Sequence, residues 1–435
     1  MSAPSTGAAQ PMRATHAAAE RDHQRPNIIV IQTDDQDAAS LTRRLMPQTV
    51  RLLARRGTRF TDYIDSGPLC CPSRAVMLTS QYGHNNGVLW NNPNPYGDLR
   101  GKQNTLPVWL HRAGYQTTHL GKYLNLYARA VDDPNEVAPG WDEWHTILEP
   151  ENYDDYTLRE NGHAVQYGSQ PRDYLTRVLN DKAVHLIHRY VPGRRPLFMA
   201  IDQLAPHGTP NLDHPRCIRS ALPAPPDRER FVNAPLPMPP SFNEADVSDK
   251  PSFVSAHPRL TPNDVAELKR KNGCRLASLR EVDRGVKRIV AALHHEHELG
   301  NTAIFYTSDN GFLQGEHRVA DAKVDPYEEG LHVPFIVRLP RRFRARHGAP
   351  RKLGSTVANI DVAPTILRLA GAKPCNRRGH CRVLDGRSLL KAIRSHGRRW
   401  PRDRGILLEL KSPVNRALPF TPCRMRAFAR AGRSS

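Results

Sequence analysis

At 435 residues and 39% hydrophobic the chain can bury a core, which excludes general disorder, and its length suits one large α/β domain or two domains. No apolar run approaches the roughly 18 to 20 residues of a membrane span, which argues against a chain integral to a bilayer. The 63 Lys and Arg against 43 Asp and Glu give a formal net charge of +20, which directs attention to anionic partners.

Residues 1–25 hold Ala, Ser, Arg and His without an apolar stretch. They read as a mobile N-terminal segment with no visible secretory signal, which leaves the compartment open. Asn27 to Gln32 (NIIVIQ) reads as a continuous apolar strand of the kind buried in a parallel sheet, running directly into Thr33-Asp34-Asp35. Pro72 and Ser73 suit the first turn of a helix, and a helical pattern covers Leu106 to Ala113. Pro196 to Ile201 (PLFMAI) is strand-like, and residues 205–260, rich in Pro and polar groups, read as long surface loops. A long helix over Asp264 to His297 opens with a Thr261-Pro262 start signal. Thr302 to Thr307 (TAIFYT), Val333 to Val337 (VPFIV) and Ile406 to Leu410 (ILLEL) are further strands; the last is followed by a Pro- and Arg-rich end with little apolar periodicity. Strands alternating with helices predict an α/β fold with a largely parallel sheet, and no internal repeat is visible.

The charge is regional. Beyond residue 340 the chain has 24 Lys and Arg against only Asp361, Asp385, Asp403 and Glu409, so the first 340 residues are net neutral. Runs such as Arg341, Arg342, Arg344 and Arg346, or Arg398 and Arg399, suit nucleic acid or a sulfated polymer. A solvated, Arg-rich surface is the favoured reading, because few aromatics interleave for base stacking. Seven cysteines, at 70, 71, 217, 274, 375, 381 and 423, are too few for a disulfide scaffold. Cys375 and Cys381 flank a polar loop and would pair in an oxidising compartment; two unlinked thiols fit equally well. No CxxC…CxxC array points to structural zinc.

In an open α/β sheet, functional side chains gather beyond the carboxyl ends of strands. Two strands here end in acid clusters, Asp34 and Asp35 after the first and Asp309, Asn310 and Gly311 after TAIFYTS. Alone, each is an ordinary cap or turn. Together, three carboxylates and an amide oxygen make a hard-oxygen set suited to Ca²⁺ or Mg²⁺. The segment Leu69-Cys70-Cys71-Pro72-Ser73-Arg74 sets Cys70 near a helix N-terminus, where backbone N–H groups, the helix dipole and Arg74 favour an anion. A buried Cys pair before a Pro-initiated helix is the plainer reading of such a segment.

This segment closely resembles the C-x-P-S-R signature of type I sulfatases, and further matches follow in the expected order over residues 25–410. Gly114-Tyr115-Gln116-Thr117 through Gly121-Lys122 resembles the second family signature, and Ala205-Pro206-His207 the loop bearing a catalytic His. Lys323, four residues before Tyr327-Glu328, resembles the second sulfate-binding Lys. Val357 to Thr365 and Asp385-Gly386-Arg387-Ser388 match late family segments. Gly121-Lys122-Tyr123-Leu124-Asn125, Pro139-Gly140-Trp141-Asp142-Glu143-Trp144 and Phe242-Asn243-Glu244-Ala245-Asp246 resemble N-acetylglucosamine-6-sulfatases and related heparan-type 6-O-sulfatases.

The resemblance implies an alkaline-phosphatase-like α/β fold with a catalytic domain over residues 26–400. It implies one Ca²⁺ held by Asp34, Asp35, Cys70, Asp309 and Asn310, and oxidation of Cys70 to Cα-formylglycine by a separate formylglycine-generating enzyme. It implies Cys70, Arg74, Lys122, His207 and Lys323 as catalytic residues. A hydrated formylglycine carries two hydroxyls: one would attack sulfur and release the alcohol, and the other would then expel sulfate as the C=O re-forms. Arg74, Lys122 and Lys323 would offset charge on the sulfuryl oxygens, and His207 would protonate the leaving oxygen. The expected partner is a sulfated carbohydrate or other sulfate ester; no membrane partner is expected and nucleic acid is disfavoured. Family members are often exported or lysosomal.

Three departures stand out. Leu124 occupies a place where many arylsulfatases have His, a change shared with the glucosamine-type branch. Ser80 stands where the signature often has Gly. Residues 401–435 read as a remnant of a C-terminal subdomain with an Arg-rich tail, whose loss would expose an edge strand. His84, Asn85 and Asn86 are candidate sugar contacts. The rival functions are a phosphodiester or phosphonate ester hydrolase of the same fold, and an inactive truncated sulfatase-like protein that binds polyanions.

Overall fold

Every residue of the first strand, β1 (Asn27–Thr33), is buried, as a continuous apolar run flanked by strands on both sides must be. The structure, a computed structural model, describes residues 25–131, 133, 135–344 and 348–410 and the backbone of 411 and 424–429; the expected mobile segment lies, apart from Arg25, outside the described residues. The strands after β1 are β2 (Thr58–Phe60), β3 (Tyr63–Ile64), β4 (Gln116–Gly121), β5 (Glu143–Ile147), β6 (Tyr156–Glu160) and β7 (His163–Tyr167). They continue with β8 (Leu197–Asp202), β9 (Thr302–Ser308), β10 (Phe335–Arg338), β11 (Lys352–Leu353), β12 (Val357–Ala358), β13 (Ile406–Lys411) and β14 (Arg424–Ala429). Ten of them form one sheet in the order β11-β2-β10-β9-β1-β8-β4-β5-β6-β7. Its centre, β9 through β5, is parallel.

The principal helices are α1 (Cys70–Thr79), α2 (Leu106–Arg112), α3 (Leu175–Tyr190), α4 (Pro262–His295), α5 (Val362–Ala370) and α6 (Leu390–Arg394). Alternation along β1 sends Ile28 and Val30 to one face and Ile29 and Ile31 to the other. The first pair packs in a core with Trp109 of α2 and Ile366 of α5. The second pair packs with Leu179 of α3 and Ile289 of α4. The result is a helix-sheet-helix layering, the alkaline-phosphatase-like α/β architecture expected from the sequence. Thr261 and Asp264 cap α4 reciprocally, so the Thr-Pro start signal is a working capping box with proline in the first turn. Among the described residues, no helix is long and apolar enough to cross a membrane.

Four features differ from or extend the sequence reading. The VPFIV segment forms β10, but it runs antiparallel to both β9 and β2. Of the two alternatives left open for Cys375 and Cys381 the structure has the disulfide, and a second disulfide joins Cys217 to Cys274. That second bond ties the loop-rich 205–260 region to α4. The ILLEL strand is not an unpaired edge: β13 pairs along its length with β14, and Ile406 and Leu408 are buried against Ile64, Val76 and Ile360.

Candidate active site at the ends of four parallel strands

Strand register levels the site. Thr33 pairs with Ser308, Gln32 with Asp202, and Asp202 with Gly121, so the residues just past each strand end meet in one plane. Asp34 and Asp35 follow β1, Asp309 and Asn310 follow β9, Asp202 ends β8, and Lys122 follows β4. Gly121 has φ of 100°, and a Cβ there would lie 2.0 Å from the Asp202 carbonyl oxygen. Only glycine keeps β4 against β8 at the turn that aims Lys122 inward.

Helix α1 enters this rim with Leu69 as an extended N-cap and Cys70 as its first residue. Four residues on, Arg74 lies 2.8 Å from Asp309, 3.4 Å from Asp34 and 3.4 Å from Asp202. Cys70 Sγ is fully buried, with Lys323 Nζ at 2.8 Å, Lys122 Nζ at 3.8 Å and Asp34 Oδ1 at 3.4 Å. Lys122 Nζ also contacts Asp34 at 2.8 Å and Glu151 at 2.9 Å, while Lys323 pairs with Asp35. His207 Nε2 is 3.9 Å from Asp35, and ligand atoms of Asp34, Cys70 and His207 lie within 4.8 Å of one another. The nine residues expected to form the catalytic and metal sites therefore gather at the strand ends around Cys70. Above it opens a cavity of about 520 Å³ lined by Asp35, His207, Lys323, Arg219, Arg275 and Phe312.

Burial would raise the Asp34 carboxyl, but Lys122, His207, Lys323 and Arg74 hold it well below its usual range. Burial and the neighbouring Asp34 push Asp309 up to about 7. Burial, followed by Asp34, also drives the Cys70 thiol well above its usual range, so an unmodified Cys70 is a poor nucleophile at neutral pH. His207 is lowered, first by burial and then by Lys122. Its ring therefore tends to the neutral form, able to exchange a proton at the cavity mouth.

The donor set suits a divalent cation. Asp34, Asp35 and Asp309 are buried and offer oxygens within 4.8 Å of one another, a mutual repulsion that a cation would relieve. Asn310 donates from Nδ2 to Asp35 at 2.7 Å, while among the described residues its buried Oδ1 has no hydrogen-bond partner. An orphaned amide oxygen beside three carboxylates is what an oxygen-liganded ion satisfies.

Other sequence candidates fall elsewhere. His84 binds Glu409 through both its backbone N–H and Nδ1, and Asn85 donates to Asp385 at 3.0 Å. Asn86 donates to the Gln81 carbonyl at 2.8 Å. All three follow the carboxyl end of α1, and Cys70 lies at its other end, so they brace the chain there. Leu124 is core. Two contributors were not singled out from sequence: Asp202, which carries the same strand-end signal as Asp34, and Glu151, which carries none.

A family model described as Sulfatase matches residues 26–372. The chain belongs to the sulfatase family. It is 34% identical over 376 residues to a Caenorhabditis elegans homolog of the extracellular sulfatase Sulf-1, covering 84% of this chain and 49% of that one. It is 33% identical over 380 residues to the human N-acetylglucosamine-6-sulfatase, covering 85% of this chain and 64% of the relative. It thus spans about half the length of the curated relatives it matches. Among solved structures, BT4656 in complex with D-glucosamine-2-N,6-O-disulfate superposes with a TM-score of 0.71 at 23% identity, over 94% of this chain and 87% of that one. A phosphonate monoester hydrolase of Agrobacterium radiobacter shares the fold at a TM-score of 0.66 and 19% identity, over 90% of this chain and 82% of that one.

Proposed function

We propose that residues 26–400 form the catalytic domain of a sulfatase that hydrolyses a sulfate ester of a carbohydrate, with a 6-sulfated glucosamine the first substrate to test. The observation that carries this reading is the convergence of Arg74, Lys122 and Lys323 on the buried Cys70, backed by the acidic rim of Asp34, Asp35 and Asp309. The names of the relatives supply the sugar. Three fixed cations around one atom suit a group with several anionic oxygens and stabilise the charge that builds on them in the transition state.

In this reading Asp34, Asp35, Asp309 and Asn310, with the side chain derived from Cys70, hold Ca²⁺. The ion would supply Lewis-acid polarisation there. Cys70 is the residue converted to formylglycine by its maturation enzyme; hydrated, that group supplies one hydroxyl as nucleophile and another for its own regeneration. Arg74 and Lys122 stay fixed by Asp309, Asp34 and Glu151, so they pay no reorganisation as charge develops. His207, which lines the cavity and is neutral at rest, would take up the proton released by the attacking hydroxyl and hand it to the departing alcohol oxygen.

The deciding experiment is the mass of the Cys70 peptide after co-expression with a formylglycine-generating enzyme, followed by turnover assays. Conversion lowers the mass by about 18 Da and accompanies hydrolysis of a glucosamine 6-sulfate or an aryl sulfate. Turnover dominated by an aryl phosphodiester or phosphonate ester would replace this reading with the phosphorus-ester one.

A further inference from the structure

A second concavity lies apart from the site around Cys70. A groove of about 880 Å³ is lined by Arg368, Ser388, Lys391, Arg394, Arg398 and Arg399. It adjoins another concavity of about 680 Å³ reached by Arg387, Lys391 and Arg399. Arg368 projects from α5, Lys391 and Arg394 from α6, and Arg398 and Arg399 from the loop after it; these and Arg387 are all exposed. Among the described residues none of these six cations pairs with a carboxylate. Between residues 362 and 402 the sequence has a single acid, Asp385, and that side chain is held by the Tyr82 N–H and by Asn85. Among the described residues no ion pair offsets these charges, and a concave wall focuses their field.

The groove lies away from the chemistry. The Asp385 N–H donates to the Ser80 carbonyl at the carboxyl end of α1, whereas Cys70 starts that helix. Ten helical residues separate the two ends by on the order of 15 Å. A single sulfate at Cys70 therefore does not reach the groove; only a ligand longer than one sulfated sugar would engage both. We propose that this groove is an exosite for a sulfated polysaccharide chain, whose identity as the polymer rests on the sulfatase reading. Nucleic acid is the poorer occupant. Trp400, the ring that lines the adjoining concavity, is buried, donates its indole N–H to the Thr356 carbonyl, and offers no stacking face. The hydroxyls of Ser388 and Ser395 and the guanidinium forks of Arg398 and Arg399 suit sulfate and hydroxyl groups instead.

The test measures binding apart from turnover, on the full chain carrying Cys70→Ser and an immobilised heparin fragment at two salt concentrations. One variant combines Arg368→Gln, Lys391→Gln, Arg398→Gln and Arg399→Gln; Arg394 is kept because it packs on Phe343. A charge-matched control combines Arg43→Gln, Arg44→Gln, Arg55→Gln and Arg56→Gln, exposed positions elsewhere on the molecule. The groove variant is expected to bind heparin about tenfold more weakly and with a shallower salt dependence, the control within about twofold of the parent. In the matured enzyme with Cys70 restored, the groove variant keeps the parent's rate on a small aryl sulfate. Equal losses in both variants would overturn the exosite, as would duplex DNA of matched charge binding as tightly as heparin. Absent aryl sulfate turnover alongside the expected binding difference would instead count against the sulfatase reading alone.

Discussion

Ser80 shows how one residue departs from a family pattern and remains tolerable. It ends α1 with φ of 53°, the left-handed region that glycine favours, and its Oγ donates to the Ile360 carbonyl at 2.6 Å. Ser80→Ala keeps the strain and orphans a buried carbonyl, so it should cost about 1–2 kcal/mol in denaturant unfolding. Ser80→Gly loses the same bond but relieves the strain, and should be about 1 kcal/mol more stable than the Ala variant; equal stabilities would contradict this account. Glu151 acts through another residue. Its contact with Lys122 holds an ammonium that also faces Asp34, so Glu151→Gln should lower kcat about tenfold while thermal stability changes little. An unchanged kcat would remove Glu151 from the positioning of Lys122. At this scale the sequence was most legible where chemistry follows a strand end: Asp34, Asp35, Asp309 and Asn310 could be named because the preceding apolar runs are unambiguous. Glu151 could not, since it reaches the site from a Pro-containing loop and only the folded chain brings it there.

At the scale of elements, two cross-links organise what composition leaves as loop. Cys217–Cys274 closes 57 residues and joins the Pro-rich region to α4, whereas Cys375–Cys381 closes only 6. Loop-closure entropy then assigns about 4 kcal/mol to the first and about 2 kcal/mol to the second. Cys217→Ser should accordingly lower the melting temperature more than Cys381→Ser, a ranking that calorimetry checks directly. Glu160 links β6 to α3 through Lys182 at 2.7 Å, with Tyr167 at 2.6 Å and His145 at 3.3 Å. Burial would raise its carboxyl, but His145, Lys182 and Tyr167 bring it down to about 2. A depressed carboxyl stabilises the fold above its unfolded value near 4.5 and loses that contribution as pH falls towards 2. The stability gap between parent and Glu160→Gln should therefore be widest near neutral pH and narrow below about pH 4.5. Sequence pattern located β1, β8, β9, α2 and α4 to within a few residues, but it did not orient β10. A strand's own composition carries no direction; the path of the preceding connection sets it. The α3 helix has Leu175, Val178, Leu179, Leu186 and Ile187 at helical spacing, yet its many charged neighbours mask the pattern.

For the molecule as a whole, the sheet brings together carboxylates that repel one another. Asp34, Asp35 and Asp309 sit buried on adjacent strand ends, so a bound cation should stabilise the entire fold. Chelation should lower the melting temperature, and restoring Ca²⁺ to about 100 times its dissociation constant should return about 2.7 kcal/mol. A melting curve indifferent to chelator and Ca²⁺ would remove the ion from these residues. The overall charge misleads at this scale. The +20 belongs to the stretch beyond residue 340, whereas every candidate site residue lies in the neutral remainder. Global charge and site chemistry are separate properties of this chain.

The burial of Cys70 sets an order of events. Once α1 has docked, Lys122, Lys323 and Asp34 surround its sulfur, and no part of the residue is open to a protein-sized catalyst. On the proposed reading, an enzyme that rewrites this side chain must meet the segment while it is still an extended peptide. Folding and maturation then compete for the same few residues. A faster-folding variant would emerge native in shape, with its thiol sealed in and chemically inert.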